Sequence, residues 1–268
     1  MAIVTISREC GAGGEEIGRE VARKLKYEYV SKSTIYRDIE KHGEQWLKWG
    51  MELDDHAPSI WERYDRSFAG YVSLLEHCIY ELALKNNVVI LGRGGNWLLQ
   101  EIPYALRVRI IAPMEDRIRL VSDREGVNRE AAEKILRFSD HERSIFLKKA
   151  YHRDWSHPDD YDMTFNTSHL GRDEVVKLIL DEIPARDKQI TPEAQERLRQ
   201  LALAARVNSD IRTDFHVFIP TLEVVHDGTA IVLRGVSRDL KQQGRVLEIA
   251  RRSAGATGIR SELHVRGT

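Results

Sequence analysis

The sequence predicts a three-layer α/β fold with a helical lid, followed by a small α+β unit. Three observations carry this: short apolar, β-branched runs that read as fully buried strands, helical periodicity between them, and glycine clusters where strands end. Buried strands alternating with helices imply a parallel sheet covered on both faces, because each crossover helix hides part of one face. Residues 2–7 (AIVTIS) form the first such run, followed by Gly11-Ala12-Gly13-Gly14 and then EEIGREVARKL. In that helix Ile17, Val21 and Leu25 share a face, and acidic residues occupy the first turn, where the macrodipole favours them. A second strand is expected from Tyr27 to Val30. Residues 46–85 read as helical, with Trp61, Tyr64, Phe68, Tyr71, Leu74 and Leu75 as a core stripe. VVILG, running into Gly92-Arg93-Gly94-Gly95, and LRVRII (106–111) are further buried strands. Pro113 opens a helix, and a strand over Met163 to Asn166 precedes a helix over Arg172 to Glu182. Ligands in such sheets sit at the carboxyl ends of the strands, so the two glycine clusters are expected to converge.

Residues 184–193 carry two prolines and several charges, and read as a linker between domains at 1–183 and 194–268. The second domain offers a helix (AQERLRQLALAARV), strands around 215–225 and 230–236, a helix over 240–252 and a last strand over 259–265. Asp227-Gly228 between two apolar runs predicts a hairpin.

Lys and Arg total 41 against 42 Asp and Glu, so net charge gives no reason to expect nucleic-acid binding. The two cysteines, Cys10 and Cys78, make neither a disulfide framework nor a metal-ligand spacing, and the histidines form no H-x-x-x-H pair. No apolar run approaches the ~20 residues that span a bilayer, and the opening residues lack a signal peptide's basic and apolar regions. A cytoplasmic location with reduced thiols is expected.

A glycine loop between a buried strand and a helix lets backbone N–H groups approach a phosphate, and the helix N-terminus adds favourable partial charge. The full P-loop signature is G-x-x-x-x-G-K-[ST]. Here Arg8 stands at the first Gly, Gly13 at the second, Gly14 at the Lys and Glu15 at the Ser/Thr. Read alone, the segment is either a phosphate cradle or a tight turn. Arg8 either replaces the missing Lys or pairs with Glu9 or Glu16. Glu15 repels a polyphosphate unless magnesium lies between them. Cys10 reads as a small buried side chain, the alternative being a thiolate activated by the helix N-terminus. Between 117 and 153 lie Arg117, Arg119, Arg124, Arg129, Lys134, Arg137, Arg143, Lys148, Lys149 and Arg153. Phosphoryl transfer needs cation placement more than covalent help, and a closing helix pair bearing arginines supplies it. Most of these cations read as a solvated face. Arg143, three residues after Asp140 on one helical face, reads as functional, with Asp140 orienting it. His152 and His157 read as lid surface.

ISRECGAGGEEIGREVARKL resembles the opening of the cytidylate-kinase-like family, a divergent branch of the P-loop nucleoside-monophosphate kinases that lacks the P-loop Lys. Further segments are similar in order. Ser33-Thr34-Ile35-Tyr36-Arg37 looks like the start of the monophosphate site, and VVILGRGGNWLL like the strand whose Gly-Arg presents Arg93 to the acceptor phosphate. RVRIIAPMEDRIRLV looks like the strand and helix entering the lid, and Asp140-His141-Glu142-Arg143 like the lid motif D-x-x-R. Tyr161-Asp162 with Asn166-Thr167-Ser168-His169-Leu170 resembles the closing D-x(3)-[DN]-T-S-x-L segment. The resemblance spans residues 1–183 and implies a P-loop NTPase-type fold with magnesium- and ATP-dependent phosphoryl transfer to a nucleoside monophosphate, CMP or dCMP. It places Arg8, Gly11, Ala12, Gly13, Gly14, Glu15 and Glu16 around the ATP phosphates. It places Tyr36, Arg37 and Arg93 on the acceptor, and makes Arg143, Arg93 and Asp140 the catalytic set. A nucleotide-binding regulator without turnover is the alternative. Glu15, where the family commonly has Arg, and Gly94, where better-known cytidylate kinases have Asp, depart from the pattern. Residues 194–266 resemble a BON domain through TAIVLRGVS, the helix with Ala250 and the ending GIRSELHV. That resemblance implies a non-catalytic module with a protein or lipid partner, or one that assembles copies of the chain.

Overall fold

The computed structural model describes residues 1–55 and 66–267, with the side chains of residues 54 and 55 excepted. Trp61 and Tyr64 of the expected core stripe lie outside the described residues. The chain divides into two compact units. The first holds Met1–Thr34, a stretch beginning at Glu52, and Lys85–Ala194; the second holds Ile35–Met51, the helix ending at Leu84, and the chain from Gln195. The division is therefore discontinuous in sequence, unlike the linear one read from composition.

In chain order the elements begin with β1 (Ile3–Arg8), α1 (Gly14–Leu25), β2 (Glu28–Val30), α2 (Lys32–Glu40), α3 (Glu44–Asp55), α4 (Arg66–Leu84), β3 (Val88–Leu91) and the short α5 (Gly95–Leu98). They continue with β4 (Ala105–Ile111), α6 (Met114–Glu125), α7 (Arg129–Tyr151), β5 (Met163–Asn166) and α8 (Arg172–Asp187). The C-terminal part comprises α9 (Pro192–Thr213), β6 (Glu223–His226), β7 (Ala230–Ser237), α10 (Leu240–Ala254) and β8 (Gly258–Val265).

In the first unit, β1 to β5 form a parallel sheet in the order β2-β3-β1-β4-β5. β1 is central, and Ile3, Val4 and Ile6 are fully buried, which is what its unbroken apolar run requires. One face of the sheet packs Val4, Ile6, Val89, Val108 and Ile110 against Ile17 and Val21 of α1 and Val175, Val176 and Ile179 of α8. The chain places β2 and β3 on one side of β1 and then crosses to place β4 and β5 on the other, opening a crevice at the carboxyl end of the sheet. The glycine loop lies there. α6 and α7 meet through Ile118, Val121, Ala132 and Leu136, and Asn128 caps α7 by accepting the Ala131 N–H at 2.9 Å.

The expected linker is largely helical. α8 continues through Pro184 to Asp187 and α9 begins at Pro192, leaving only residues 188–191 between them. Val175, Val176, Ile179 and Ile183 form one buried stripe, and its packing outweighs the hydrogen bond that a proline late in a helix removes.

In the second unit, α4 buries Phe68, Tyr71, Leu74, Leu75 and Ile79, as the aromatic stripe predicts for its described part. Gly50 and Gly70 make room for the rings of Tyr71 and Trp46, respectively. Arg66 of α4 donates to the carbonyls of Asp214 and Phe215, just beyond α9. Burial raises the carboxyl of Glu76, on α4, to about 7, with Arg212 of α9 the opposing charge. The β6-β7-β8 sheet joins β6 and β7 antiparallel across the Asp227-Gly228 turn, where Gly228 has φ 99°. β7 and β8 pair in parallel, with α10 between them in the chain. The strand expected from Phe215 starts only at Glu223, because Val217, Ile219 and Leu222 enter the core one by one from turns. Among the described residues, no helix is long and apolar enough to cross a membrane.

Candidate functional site: a glycine loop beside an arginine-lined cavity

The loop after β1 is built from residues that leave its amides available. Gly11 and Gly13 have φ of 75° and 80°, a region open to glycine at little cost. Gly13 caps α1 with no side-chain hydrogen bond, so the first-turn amides of α1 keep their donors. The loop is held from behind. Cys10 N–H donates to Asp140 Oδ1 at 2.8 Å, Arg117 Nη1 donates to Asp140 Oδ2 at 2.6 Å, and the same Nη1 reaches the Cys10 carbonyl at 3.2 Å. Thr167 Oγ1 donates to the Ala12 carbonyl at 3.0 Å. Cys10 packs on the apolar α6–α7 cluster but is only partly buried, short of the fully buried side chain expected.

Arg8 occupies the space that the missing lysine leaves. A Cβ on Gly14 would stand 2.5 Å from Arg8 Cβ and 2.9 Å from its Cγ, so the Arg8 stem fills the place where a Gly14 side chain would begin. A Cβ on Gly92 would meet the Arg8 guanidinium, so the two glycine clusters converge around this one cation. Among the described residues Arg8 has no ion pair. Glu9 instead accepts the Ala112 N–H at 3.1 Å and faces Arg117 at 3.6 Å. Burial, then the proximity of Arg143 and Arg93, lowers the Arg8 guanidinium to about 9, which still leaves it protonated at neutral pH. Glu15 pairs with Arg19 at 2.8 Å along the exposed side of α1, and Glu16 is exposed.

Arg8, Arg93, Arg143 and Lys32 line a cavity of about 570 Å³ whose apolar walls include Leu53, Leu91, Phe146 and Leu147. Glu142 is the carboxylate among its lining residues. Arg93 has φ 59°, between Gly92 at 70° and Gly94 at 76°. A non-glycine residue pays for that conformation unless its surroundings impose it. Tyr151 Oη donates to the Arg93 carbonyl at 3.1 Å, and a Cβ on Gly94 would collide with the Tyr151 ring. The glycine at 94 is thus the counterpart of a tyrosine at the end of α7. Arg143 Nη1 donates to the Arg8 carbonyl at 2.7 Å, lies 3.5 Å from Asp140 Oδ1 and stacks 5.4 Å from the Trp155 ring. Asp140 therefore acts on the loop, Arg117 and Arg143 together.

Tyr36 and Arg37 belong to the second unit; the Tyr36 hydroxyl donates to the Gly50 carbonyl at 2.7 Å, and Arg37 is exposed. Arg119, Arg124, Arg129, Lys134 and Arg137 each pair with a neighbouring carboxylate at the surface, the solvated face expected of them. His152 and His157 are exposed, also as expected. Arg117 departs from that reading, being only 6% exposed. Arg109, expected only as part of a strand, is buried between the rings of Trp155 and Tyr161 and donates to the Trp155 carbonyl. Lys32 was also missed; its place just before the Ser33–Arg37 segment was the available signal.

The donor set fits a polyphosphate: uncapped amides, left-handed glycines and an arginine without a carboxylate partner. Among the described residues no group of three His, Cys, Asp or Glu side chains could hold a metal ion. A magnesium ion held by nucleotide phosphates, its own waters and one or two carboxylates would not require such a group.

Residues 3–169 match the model of the cytidylate kinase-like family. The cytidylate kinase of Ignicoccus hospitalis is 29% identical over 182 residues, covering 67% of this chain and 97% of the relative. That of Pyrobaculum calidifontis is 30% identical over 186 residues, covering 68% and 92%. Among solved structures, an uncharacterized protein from Eubacterium ventriosum superposes with a TM-score of 0.56 at 20% identity, covering 69% of this chain and 98% of that one. This last is a likeness of fold. The family match ends at residue 169, before the C-terminal sheet begins.

Proposed function

The chain belongs to the cytidylate kinase-like family, and on that premise we propose that its first unit transfers a phosphoryl group from ATP to a nucleoside monophosphate, CMP or dCMP. One observation carries the reading: Arg8, Arg93, Arg143 and Lys32 gather on one cavity beside an uncapped glycine loop. Like charges assemble at an electrostatic cost, which a bound anion offsets. The amides of the loop cradle the donor phosphates. Arg8 takes the part of the missing lysine, because its stem fills the space beside Gly14. Arg93 holds the acceptor phosphate and Arg143 the transferred group, while Asp140 positions Arg143 and the loop. An acceptor oxygen, already anionic, forms the new bond to the γ-phosphorus as the bond to the β–γ bridging oxygen breaks, releasing ADP. No covalent intermediate or general base is required, and rate comes from alignment and charge stabilisation. Magnesium, when bound with ATP, would neutralise phosphate charge.

The test is incubation with magnesium and ATP and a panel of nucleoside monophosphates, following ADP and diphosphate products. CDP or dCDP that forms with the wild type and disappears in Arg93→Ala supports the reading. A loop with no Lys or Ser/Thr, and with Glu15 engaged by Arg19, favours a second reading: a nucleotide-binding regulator. Thermal stabilisation by ATP with no product from any acceptor would select it. For the C-terminal part, the helix–hairpin–helix–strand order supports a BON-like binding module with a lipid or protein partner, or contacts between copies of the chain. We place the protein in the cytoplasm, with its nucleotide substrates.

A further inference from the structure

A second arginine stands over the glycine loop, from an element that neither the motifs nor the cavity single out. Arg172 is the first residue of α8, and a Cβ on Gly13 would lie 3.2 Å from its Nε and 3.8 Å from its Cζ. Its guanidinium therefore rests on the left-handed glycine that caps α1. The placement is anchored. Thr167, in the turn before α8, donates from N to the Ile111 carbonyl at 3.0 Å and from Oγ1 to the Ala12 carbonyl of the loop at 3.0 Å. Val175 and Val176 then bury the first turn of α8 in the core shared with Ile17 and Val21 of α1.

Here a cation and the N-terminus of α1 share one place. The N-terminus of α1 carries partial positive charge and has no side-chain cap, so its first-turn amides keep their donors. Arg172 is exposed, and among the described residues it has no hydrogen bond or ion pair. Asp173 and Glu174 share its turn on α8, and the first turn of α1 carries Glu15, paired with Arg19, and Glu16. A guanidinium and a set of helix-terminal amides that face the same space are both satisfied by one anion, each bonding different oxygens.

We propose that Arg172 is a donor-phosphate ligand, closing over the ATP polyphosphate from the α8 side while Arg8 reaches it from β1. The inference rests on the kinase reading above and adds to it a residue outside the glycine motif and the lid. The P-loop lysine's work is thereby divided between two arginines, one filling the space beside Gly14 and one resting on Gly13.

The experiment measures binding by calorimetry on the full chain, with ATP, inorganic tripolyphosphate and CMP as separate probes, for the wild type, Arg172→Ala and Arg172→Gln. Because Arg172 is exposed, both variants should melt with the wild type when no ligand is present. The expected result is about a tenfold loss of affinity for both ATP and tripolyphosphate, with CMP affinity unchanged; tenfold corresponds to about 1.4 kcal/mol. Variants that bind ATP as the wild type does would overturn the assignment of Arg172 and leave the kinase reading standing. Loss for ATP without loss for tripolyphosphate would place Arg172 on the nucleoside and overturn the phosphate role. Loss confined to CMP would put it on the acceptor, equally against the proposal. A wild type that binds neither ATP nor tripolyphosphate would sink both readings together.

Discussion

Replacing Arg8 with methionine should make the ligand-free protein more stable and deprive it of its response to nucleotide. Burial, Arg143 and Arg93 together bring the Arg8 guanidinium to about 9, more than three pH units below an ordinary arginine. At about 1.4 kcal/mol per pH unit, the unfavourable interaction has a ceiling near 5 kcal/mol. Arg8 is partly exposed, and water screens part of the repulsion, so a gain of about 1–2 kcal/mol is expected. Methionine keeps the stem that packs beside Gly14 while removing the charge. For a chain of this size that gain raises the melting temperature by about 2–4 °C. The sign with pH follows from linkage. Above about pH 9 the folded wild type loses the Arg8 proton while the unfolded chain still holds it, so the wild type gains relative stability as pH rises. The variant lacks this gain, and the difference between the two should shrink from pH 7.5 to pH 10. Saturating ATP, at about a hundred times its dissociation constant, stabilises the wild type by about 2.7 kcal/mol and the variant by far less. Thermal melts at both pH values, with and without ATP, check the whole argument. A variant that is less stable than the wild type and still answers to ATP would refute the view that Arg8 is a strained cation awaiting phosphate.

Other outcomes follow from single contacts. Gly14→Ala puts a methyl within 2.5 Å of Arg8 Cβ; the clash should cost about 1–3 kcal/mol in urea unfolding and weaken ATP binding by displacing Arg8. Asp140→Asn removes the charge that holds buried Arg117 and the Cys10 amide, and should destabilise by about 3 kcal/mol while lowering turnover more than it changes the KM for CMP. The Glu76 carboxyl, raised to about 7 by burial, contributes stability below its ordinary value that is lost as pH rises through 7. Urea unfolding at pH 5 and pH 8 should therefore show a drop on the order of 2 kcal/mol in the wild type that Glu76→Gln abolishes.

Much of the fold was legible because its determinants are local. The unbroken apolar run of β1 needs a doubly covered sheet wherever it sits, and Gly11, Gly13, Gly92 and Gly94 mark backbone that glycine adopts most readily. The lid cations that pair at i±3 or i±4 were readable as surface for the same reason. Proline and charge misled at 184–193, where packing at Ile179 and Ile183 carries α8 onward, and the apolar run after Phe215 misled because burial there has no strand period. Arg117 and Arg109 gave no local signal; each is charged like its neighbours and becomes interior only through partners distant in the chain, Asp140 and Trp155.

The sequence by itself determined a parallel α/β sheet, a glycine loop at the end of its first strand, and a second small α+β element. Only the tertiary structure decided which cations gather beside the loop. Arg8, Arg93 and Arg143 lie on β1, after β3 and on α7, and they meet because β1 is seated between β3 and β4. No periodicity along the chain encodes that neighbourhood. It comes from the order in which strands pair, and with it comes the concentration of positive charge on which a phosphate would act.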